Sequence, residues 1–318
     1  MNKLKTRKSF HSNTRKVLFV CNGNLFRSFS AEILLKHYLD EHNIKNWEVF
    51  SAGTRAKKQD VDPEIIADLE SFGVKNIRHR QHKLNRLMLE KFDLVIAMAE
   101  DQIDFMKKNF NYMHAVLFNE LVEDKEASIW DIEDDVKNYK TNRTGVTREI
   151  DKTIRYIHSS IPKLINGINQ RVYLFVDFAN GLRKRKHRNG FPVIRLYETP
   201  NTLAFMSISI PSKEDGHILV IPKKRYIYFH EIPYKILNEL LRSVQKIGAV
   251  LDRDHGGYNV LLNNGRAAGQ YIFHAHFHLF PRDAKDQINL SGWSKRRMSQ
   301  LQFIKFNKKL KERINHQL

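Results

Sequence analysis

Apolar and polar positions follow two different rhythms along this chain. KVLFV (16–20) is a continuous apolar run short enough for a buried strand, and a helical pattern runs from Ser30 to about Tyr38. WEVFSAG (47–53) predicts a second strand ending in a small-residue turn. DPEIIADLESFG (62–73) has Pro in the first turn of a helix and Gly at its end. FDLVIAMA (92–99) predicts a third strand, AEDQIDFMKKN (99–109) a helix, HAVLFNE (114–120) a fourth strand, and 146–168 a long closing helix. Strands alternating with helices predict an α/β, doubly wound, four-stranded parallel sheet. In such sheets the ligand site lies at the carboxyl ends of the strands.

Beyond residue 170 the rhythm changes. Strand-like stretches crowd together at 192–198, 203–210 and 217–222. PYKILNELLRSVQKIGAVL (233–251) reads as a helix, and strands follow at 257–262 and 271–280. Runs of strands with one long helix predict an α+β domain with an antiparallel sheet. GLRKRKHRNG (181–190) reads as a basic loop and 295–315 as a basic helix. The expected division is a basic tail (1–13), a first domain (14–168), a second domain (172–285) and a basic helical extension (286–318).

With 318 residues, 42% of them hydrophobic, the chain has material for two cores. Its single cysteine excludes an internal disulfide framework and any cysteine-based zinc cluster. The basic start lacks the apolar stretch of a secretory signal, and no apolar run approaches a membrane span. A cytoplasmic protein without a membrane partner is expected. The net charge of +19 is uneven: residues 1–170 carry 28 Lys+Arg against 24 Asp+Glu, residues 171–318 carry 26 against 11. A polyanionic substrate or nucleic acid is therefore an expected partner of the second half.

The lone cysteine lies in FVCNGNLFRS (19–28). Cys21 ends the first strand, and Asn22, Gly23, Asn24, Leu25 and Phe26 form a loop before a helix. Successive backbone N–H groups of such a loop form an anion nest. Arg27 offers a planar fork for two phosphate oxygens, and Ser28 can hydrogen-bond a thiolate. The positive field favours the nucleophilic thiolate. SIWDIEDDVKNY (128–139) offers Asp131, Glu133, Asp134 and Asp135 as acids for a leaving oxygen.

The run CNGNLFRSFSAE resembles the signature loop of low-molecular-weight protein tyrosine phosphatases. The likeness extends through SAGT (51–54), GVKNIRH (73–79), DLVIAM (93–98) and IEDD (132–135). The resemblance implies that Cys21 is the nucleophile of a phosphocysteine intermediate, that Arg27 binds the phosphoryl group and that Ser28 assists the thiolate. It implies that Asn24, Ser51 and His79 brace the loop and that Asp134 is the general acid. Asp134-Asp135 stands where the family has Asp-Pro, and Val136 and Lys137 replace the aromatic residues that wall the cleft, which points to a substrate more anionic than phosphotyrosine. Phe26 takes the place of a second loop cysteine. The single cysteine disfavours the alternative of an arsenate-reductase-like domain.

FHAHFHLFPR (273–282) sets His274, His276 and His278 at period two, which puts all three on one face of a strand. Metal binding, a structural polar face and nucleophilic catalysis all fit that pattern. With YLFVDFANG (173–181), GHILVIPKK (216–224) and GQYIFHAHFHLFPR (269–282), it resembles the histidine-triad (HIT) nucleotide hydrolases and transferases. The resemblance implies that His276 forms a nucleotidyl-histidine intermediate, that His274 orients it, and that His278 and Gln270 bind phosphate and leaving group. Asn263 and His217 match further nucleotide positions, and no metal or other cofactor is implied. Tyr173 and Val176 stand at family cysteine positions, and Ser207 replaces the ribose-binding Asp. Together these readings predict a bifunctional phosphohydrolase acting on phosphomonoesters and nucleotides, homodimeric through its HIT domain. The alternative is an enzyme of nucleic-acid ends with aprataxin-like deadenylation.

Overall fold

A computed structural model describes residues 14–181, 193–208, 216–284, 286, 288 and 299–315. The first apolar run becomes β1 (Arg15–Cys21), and α1 (Arg27–Glu41) crosses from it to β2 (Trp47–Gly53). The two strands are parallel, Val17 opposite Val49 and Cys21 opposite Gly53. Next come α2 (Pro63–Ser71), capped by Asp62, and α3 (Arg86–Lys91), capped by Asn85. They lead through β3 (Leu94–Ala97) and α4 (Glu100–Phe110) to β4 (Val116–Leu117). The short helices α5 (Phe118–Val122) and α6 (Ile132–Asp135) precede the long α7 (Arg143–Arg171).

The sheet order is β2-β1-β3-β4, with every pairing parallel. The chain leaves β1 toward β2 and later returns on its other side as β3, so the carboxyl end of β1 is the topological switch point. Cys21 sits there. β1 is buried on both faces, as a central parallel strand must be. Val17, Phe19 and Cys21 join the core with Leu35, Ile154 and Ile157, whereas Leu18 and Val20 pack with Leu89, Phe92 and Met106.

The expected fourth strand at 114–120 shrinks to two residues. The chain turns into α5 at Phe118 because Phe118 and Leu121 bury in the core with α7. The two helices meet at Gly167, where a Cβ would lie 2.1 Å from the Leu121 carbonyl oxygen.

In the second half, α8 (Leu174–Asn180) follows α7 almost directly, so YLFVDFANG is helical. β5 (Arg195–Glu198), β6 (Thr202–Met206) and β7 (Ile218–Pro222) come next, then α9 (Tyr234–Asp254), β8 (Gly257–Leu262) and β9 (Phe277–Arg282). They form an antiparallel sheet of order β5-β6-β7-β9-β8. α9 lays Leu240, Val244 and Leu251 on one face, against Val220, Phe277 and Leu279. Phe175 and Phe178 of α8 cover the other, with Leu203, Phe205 and Leu219. α10 (Gln300–Asn315) begins later than the pattern suggests. Part of the expected strand 203–210, the basic run at 183–189 and the basic residues 295–297 lie outside the described residues.

The histidine strand also starts late: 271–280 was expected, and the ladder begins at Phe277. Upstream N–H groups bond elsewhere, Phe273 to the Arg171 carbonyl (2.6 Å) and Ala275 to that of Tyr226 (2.7 Å). The alternation survives nonetheless. Ala275, Phe277 and Leu279 join the core beneath α9, while the rings of His274 and His276 meet Phe175 on the other face. Among the described residues, no helix is long and apolar enough to cross a membrane.

Candidate active sites

Cys21 is 2% exposed at the end of β1. Its Sγ lies 2.9 Å from Ser28 Oγ and accepts the Asn24 N–H at 3.3 Å. The loop turns through Asn24, whose φ of 57° is left-handed, a conformation Asn tolerates. The Asn24 amide then locks the turn. Nδ2 donates to Ser51 Oγ (2.7 Å) and Ser28 Oγ (3.2 Å), and Oδ1 accepts from the His82 N–H (2.8 Å). Ser51 donates in turn to the buried Glu32, and His79 Nε2 donates to the Asn24 carbonyl. His79 stacks on Phe29, and burial holds its imidazole below the ordinary histidine range. Beneath the loop runs Gly53. A Cβ there would lie 2.5 Å from the Asn22 carbonyl oxygen and 2.9 Å from Asn24 N, so only glycine lets β2 support the loop this closely.

Arg27 opens α1, whose amino end has no side-chain cap. Uncapped N–H groups and the helix dipole together favour an anion. Arg27 is buried; Nη1 donates to the Ile129 carbonyl (2.7 Å) and Nη2 pairs with Asp131. Its Nε is buried without a partner among the described residues. A cavity of about 580 Å³ opens here, lined by Cys21, Arg27, Asp131 and Tyr139 with the cations Arg55 and Lys140. Asp134, the expected acid, does not line it. Asp134 is exposed, and its carboxylate accepts the Asp131 N–H (3.1 Å) to cap α6. Asp131 takes the position facing Arg27. Val136 is buried in the core, and Tyr139 supplies the aromatic wall that seemed missing.

In the second half, His276 Nδ1 donates to the His274 carbonyl (2.7 Å), which leaves the lone pair on Nε2. His274 Nε2 donates to the Pro222 carbonyl (2.8 Å) and ties the segment to the end of β7. His278 Nδ1 and His217 Nε2 share a hydrogen bond of 2.7 Å, and His278 Nε2 is buried with no partner among the described residues. The rings of His276 and His278 lie 4.6 Å apart. Burial lowers all three histidines, His274 and His278 to about 3 and His276 to about 4. They are neutral near pH 7. Phe175, edge-on to His276, also lines a cavity of about 290 Å³ with Phe178, Phe205, Leu219 and Ser207.

Gln270 does not present its amide to this cavity. Nε2 donates to the carbonyls of Ile227 (2.7 Å) and Ile272 (3.2 Å), and Oε1 accepts the Gly265 N–H (2.7 Å). It braces the 263–270 loop from inside. Asn263 Nδ2 reaches the Gly269 carbonyl across the same loop at 3.4 Å.

The family model for low molecular weight phosphotyrosine protein phosphatases matches residues 16–173, and the HIT-domain model matches 190–285. The chain is a fusion of these two families. Its HIT half is 37% identical to an adenosine 5′-monophosphoramidase of Candida albicans over 129 residues, 39% of this chain and 84% of that protein. It is 44% identical to an uncharacterized HIT-like protein of Methanocaldococcus jannaschii over 92 residues, 29% of this chain and 70% of that one. Among solved structures, a low molecular weight protein tyrosine phosphatase of T. tengcongensis is 27% identical with a TM-score of 0.41. It covers 48% of this chain and 99% of its own.

The fusion is an enzyme, with a phosphohydrolase domain followed by a nucleotide hydrolase domain. The two are closely joined. Arg171, at the end of α7 and 2% exposed, donates from Nε to the Tyr271 carbonyl of the HIT domain (3.1 Å). It also pairs with Asp124 of the phosphatase domain (3.1 Å) and stacks over Tyr271 and Phe273. Arg266, in the HIT loop 263–270, reaches across to Glu120 (3.0 Å) and Glu126 (3.3 Å). Sequence reasoning offered Asp131 among four candidate acids without singling it out as the partner of Arg27, and it did not name Glu32 behind Ser51, Tyr139, or the phenylalanines around the HIT cavity. Asp131 was visible as one of four acids within 131–135. The phenylalanines carried no signal beyond apolarity.

Proposed function

We propose that the phosphatase domain hydrolyses phosphomonoesters through phosphocysteine, and that the HIT domain hydrolyses nucleoside phosphoramidates through nucleotidyl-histidine. The observation that supports this best is a prepared nucleophile in each domain. Cys21 Sγ faces Ser28 and the Asn24 N–H at the uncapped amino end of α1, and the tautomer of His276 leaves Nε2 unprotonated.

In the first half-reaction, Cys21 attacks phosphorus while the loop N–H groups and Arg27 hold the equatorial oxygens. Asp131 gives its proton to the leaving oxygen and then takes one from the water that cleaves the thiophosphate. The cations Arg55 and Lys140 at the cleft suit a substrate with negative charge beyond the phosphate. In the HIT domain, His276 Nε2 attacks the α-phosphorus, and the P–N bond breaks as the amine takes a proton from solvent and departs. Water then releases the nucleoside monophosphate. Adenosine is the nucleoside expected, since that is the substrate named for the Candida relative. The exposed edge of the HIT sheet supports a homodimer, and the excess of positive charge in the second half supports contact with nucleic-acid ends.

The test is a paired assay of p-nitrophenyl phosphate and adenosine phosphoramidate hydrolysis. Cys21→Ser abolishes only the first activity and His276→Ala only the second. Asp131→Asn slows the first by about 100-fold or more, and Asp134→Asn changes it by less than about threefold. Loss of both activities in either nucleophile variant, or a larger effect at Asp134 than at Asp131, refutes these assignments.

A further inference from the structure

His276 lies just outside the sheet. The ladder of β9 begins at Phe277, so the peptide units before it are held from elsewhere. A peptide unit is planar, so a bond to its N–H also fixes the direction of its carbonyl. The unit joining His274 to Ala275 matters most, since its carbonyl accepts the proton of His276 Nδ1. Its N–H donates to the Tyr226 carbonyl (2.7 Å). In the unit before it, the Phe273 carbonyl accepts from Arg225 Nη1 (3.4 Å), and the His274 N–H turns back onto the Ile272 carbonyl (2.8 Å). One unit earlier, the Phe273 N–H donates to the Arg171 carbonyl (2.6 Å). Two of these holds lead into the phosphatase domain. Arg171 ends α7; its Nε also donates to the Tyr271 carbonyl (3.1 Å), and its guanidinium lies over the rings of Tyr271 and Phe273. Arg225 precedes Tyr226, and its Nη2 donates to the carbonyl of Asp93, just before β3.

We propose that Arg171 and Arg225 are positioning residues for His276, so that the docked phosphatase domain sets the ring of the HIT nucleophile. The inference rests on reading His276 as the nucleophile of a nucleotide hydrolase. Arg225 ties its turn to Asp93, and with it the Tyr226 carbonyl that orients the His274–Ala275 unit. Arg171 fixes the other end of the segment from α7. When either hold is lost, the His274 carbonyl is free to rotate away from His276 Nδ1. The ring proton then also occupies Nε2, and the lone pair that attacks phosphorus is lost in that fraction. A ring held in the wrong tautomer or direction slows the chemical step and leaves ground-state binding in place.

The experiment compares the full chain with Arg225→Gln, whose side chain is too short to span the two carbonyls, and with Arg171→Lys, which lacks the planar fork. For each, kcat and KM are measured on adenosine phosphoramidate. The tautomer of His276 is read near neutral pH from the NMR shifts of its ring nitrogens, assigned by their absence from His276→Ala. Wild type is expected to show the Nδ1-protonated form alone. Both variants are expected to show mixed tautomers and a kcat lower by about tenfold or more, with KM within about twofold. Hydrolysis of p-nitrophenyl phosphate stays unchanged and serves as the check on folding. An unchanged kcat, or the Nδ1-protonated form alone, in a folded variant overturns the role of that arginine, and in both variants the whole inference. Should Arg171→Lys fail to fold, Arg225→Gln decides, because Arg225 is only half-buried. If wild type turns over no phosphoramidate, the hydrolase reading falls and the tautomer comparison still decides the positioning.

Discussion

His274, His276 and His278 are the residues whose chemistry departs furthest from that of the free side chain. Burial is the largest cause for each, and it disfavours the charged imidazolium. Unfolded, each ring titrates near 6.5. Between that value and about 4 the unfolded chain takes up protons that the folded one refuses, so stability present above pH 6.5 is lost as pH falls. The slope is ~1.4 kcal/mol per pH unit for each such histidine. The thermal midpoint of the HIT domain is therefore expected to drop between pH 7 and pH 5. It should drop less steeply in His274→Asn, which keeps a donor for the Pro222 carbonyl. Parallel slopes for the two proteins would remove the premise that His274 is held neutral. At this scale the sequence was readable wherever a residue's neighbours in the chain define its task. Cys21, Asn24, Arg27 and Ser28 lie within eight positions, and one strand–loop–helix turn brings them together. The carboxylate that pairs with Arg27 was not readable, because local backbone geometry decides which of the four faces it.

At the level of elements, β8 stands out as an apolar edge. It is the terminal strand of the HIT sheet, yet Tyr258, Val260 and Leu261 are exposed, Val260 by 46%. Leu241 and Val250 on neighbouring α9 are exposed by 44% each. An open edge bearing apolar side chains is a template for pairing with another copy. Sedimentation of the wild type is expected to report a dimer, and Val260→Lys to weaken association by about tenfold or more. A wild type that stays monomeric at high concentration would dismiss the pairing. Periodicity located β1, β2 and α9 well, because their buried faces are long enough to repeat. It overran β4 and β9. Phe118 is apolar in either a strand or a helix, and packing with α7 chose the helix. The residues before Phe277 alternate like a strand, but their N–H groups are taken by Arg171 and Tyr226.

Across the whole molecule, charge and junction act on different ranges. Residues 171–318 hold 26 Lys+Arg against 11 Asp+Glu. If this field meets nucleic acid, binding to an oligonucleotide should weaken steeply with salt, with a log–log slope beyond about −4. Adenosine phosphoramidate hydrolysis insensitive to salt, with no oligonucleotide bound, would set that partner aside. The junction is built differently, from one buried arginine and one half-buried. Arg171 and Arg266 join the HIT domain to Glu120, Asp124 and Glu126 through short-range contacts, with Arg171 and Glu120 buried and Asp124 and Glu126 open to water. By itself the sequence determined the two folds and marked Cys21, with the loop that follows it, and His276 as the candidate nucleophiles. Each of these rests on residues close in the chain or on a period that repeats along it. Only the tertiary structure decided that Asp131 faces Arg27, that Gln270 turns inward and that Arg171 of one domain holds the histidine segment of the other. Those outcomes depend on how segments far apart in sequence pack, and no local pattern encodes that.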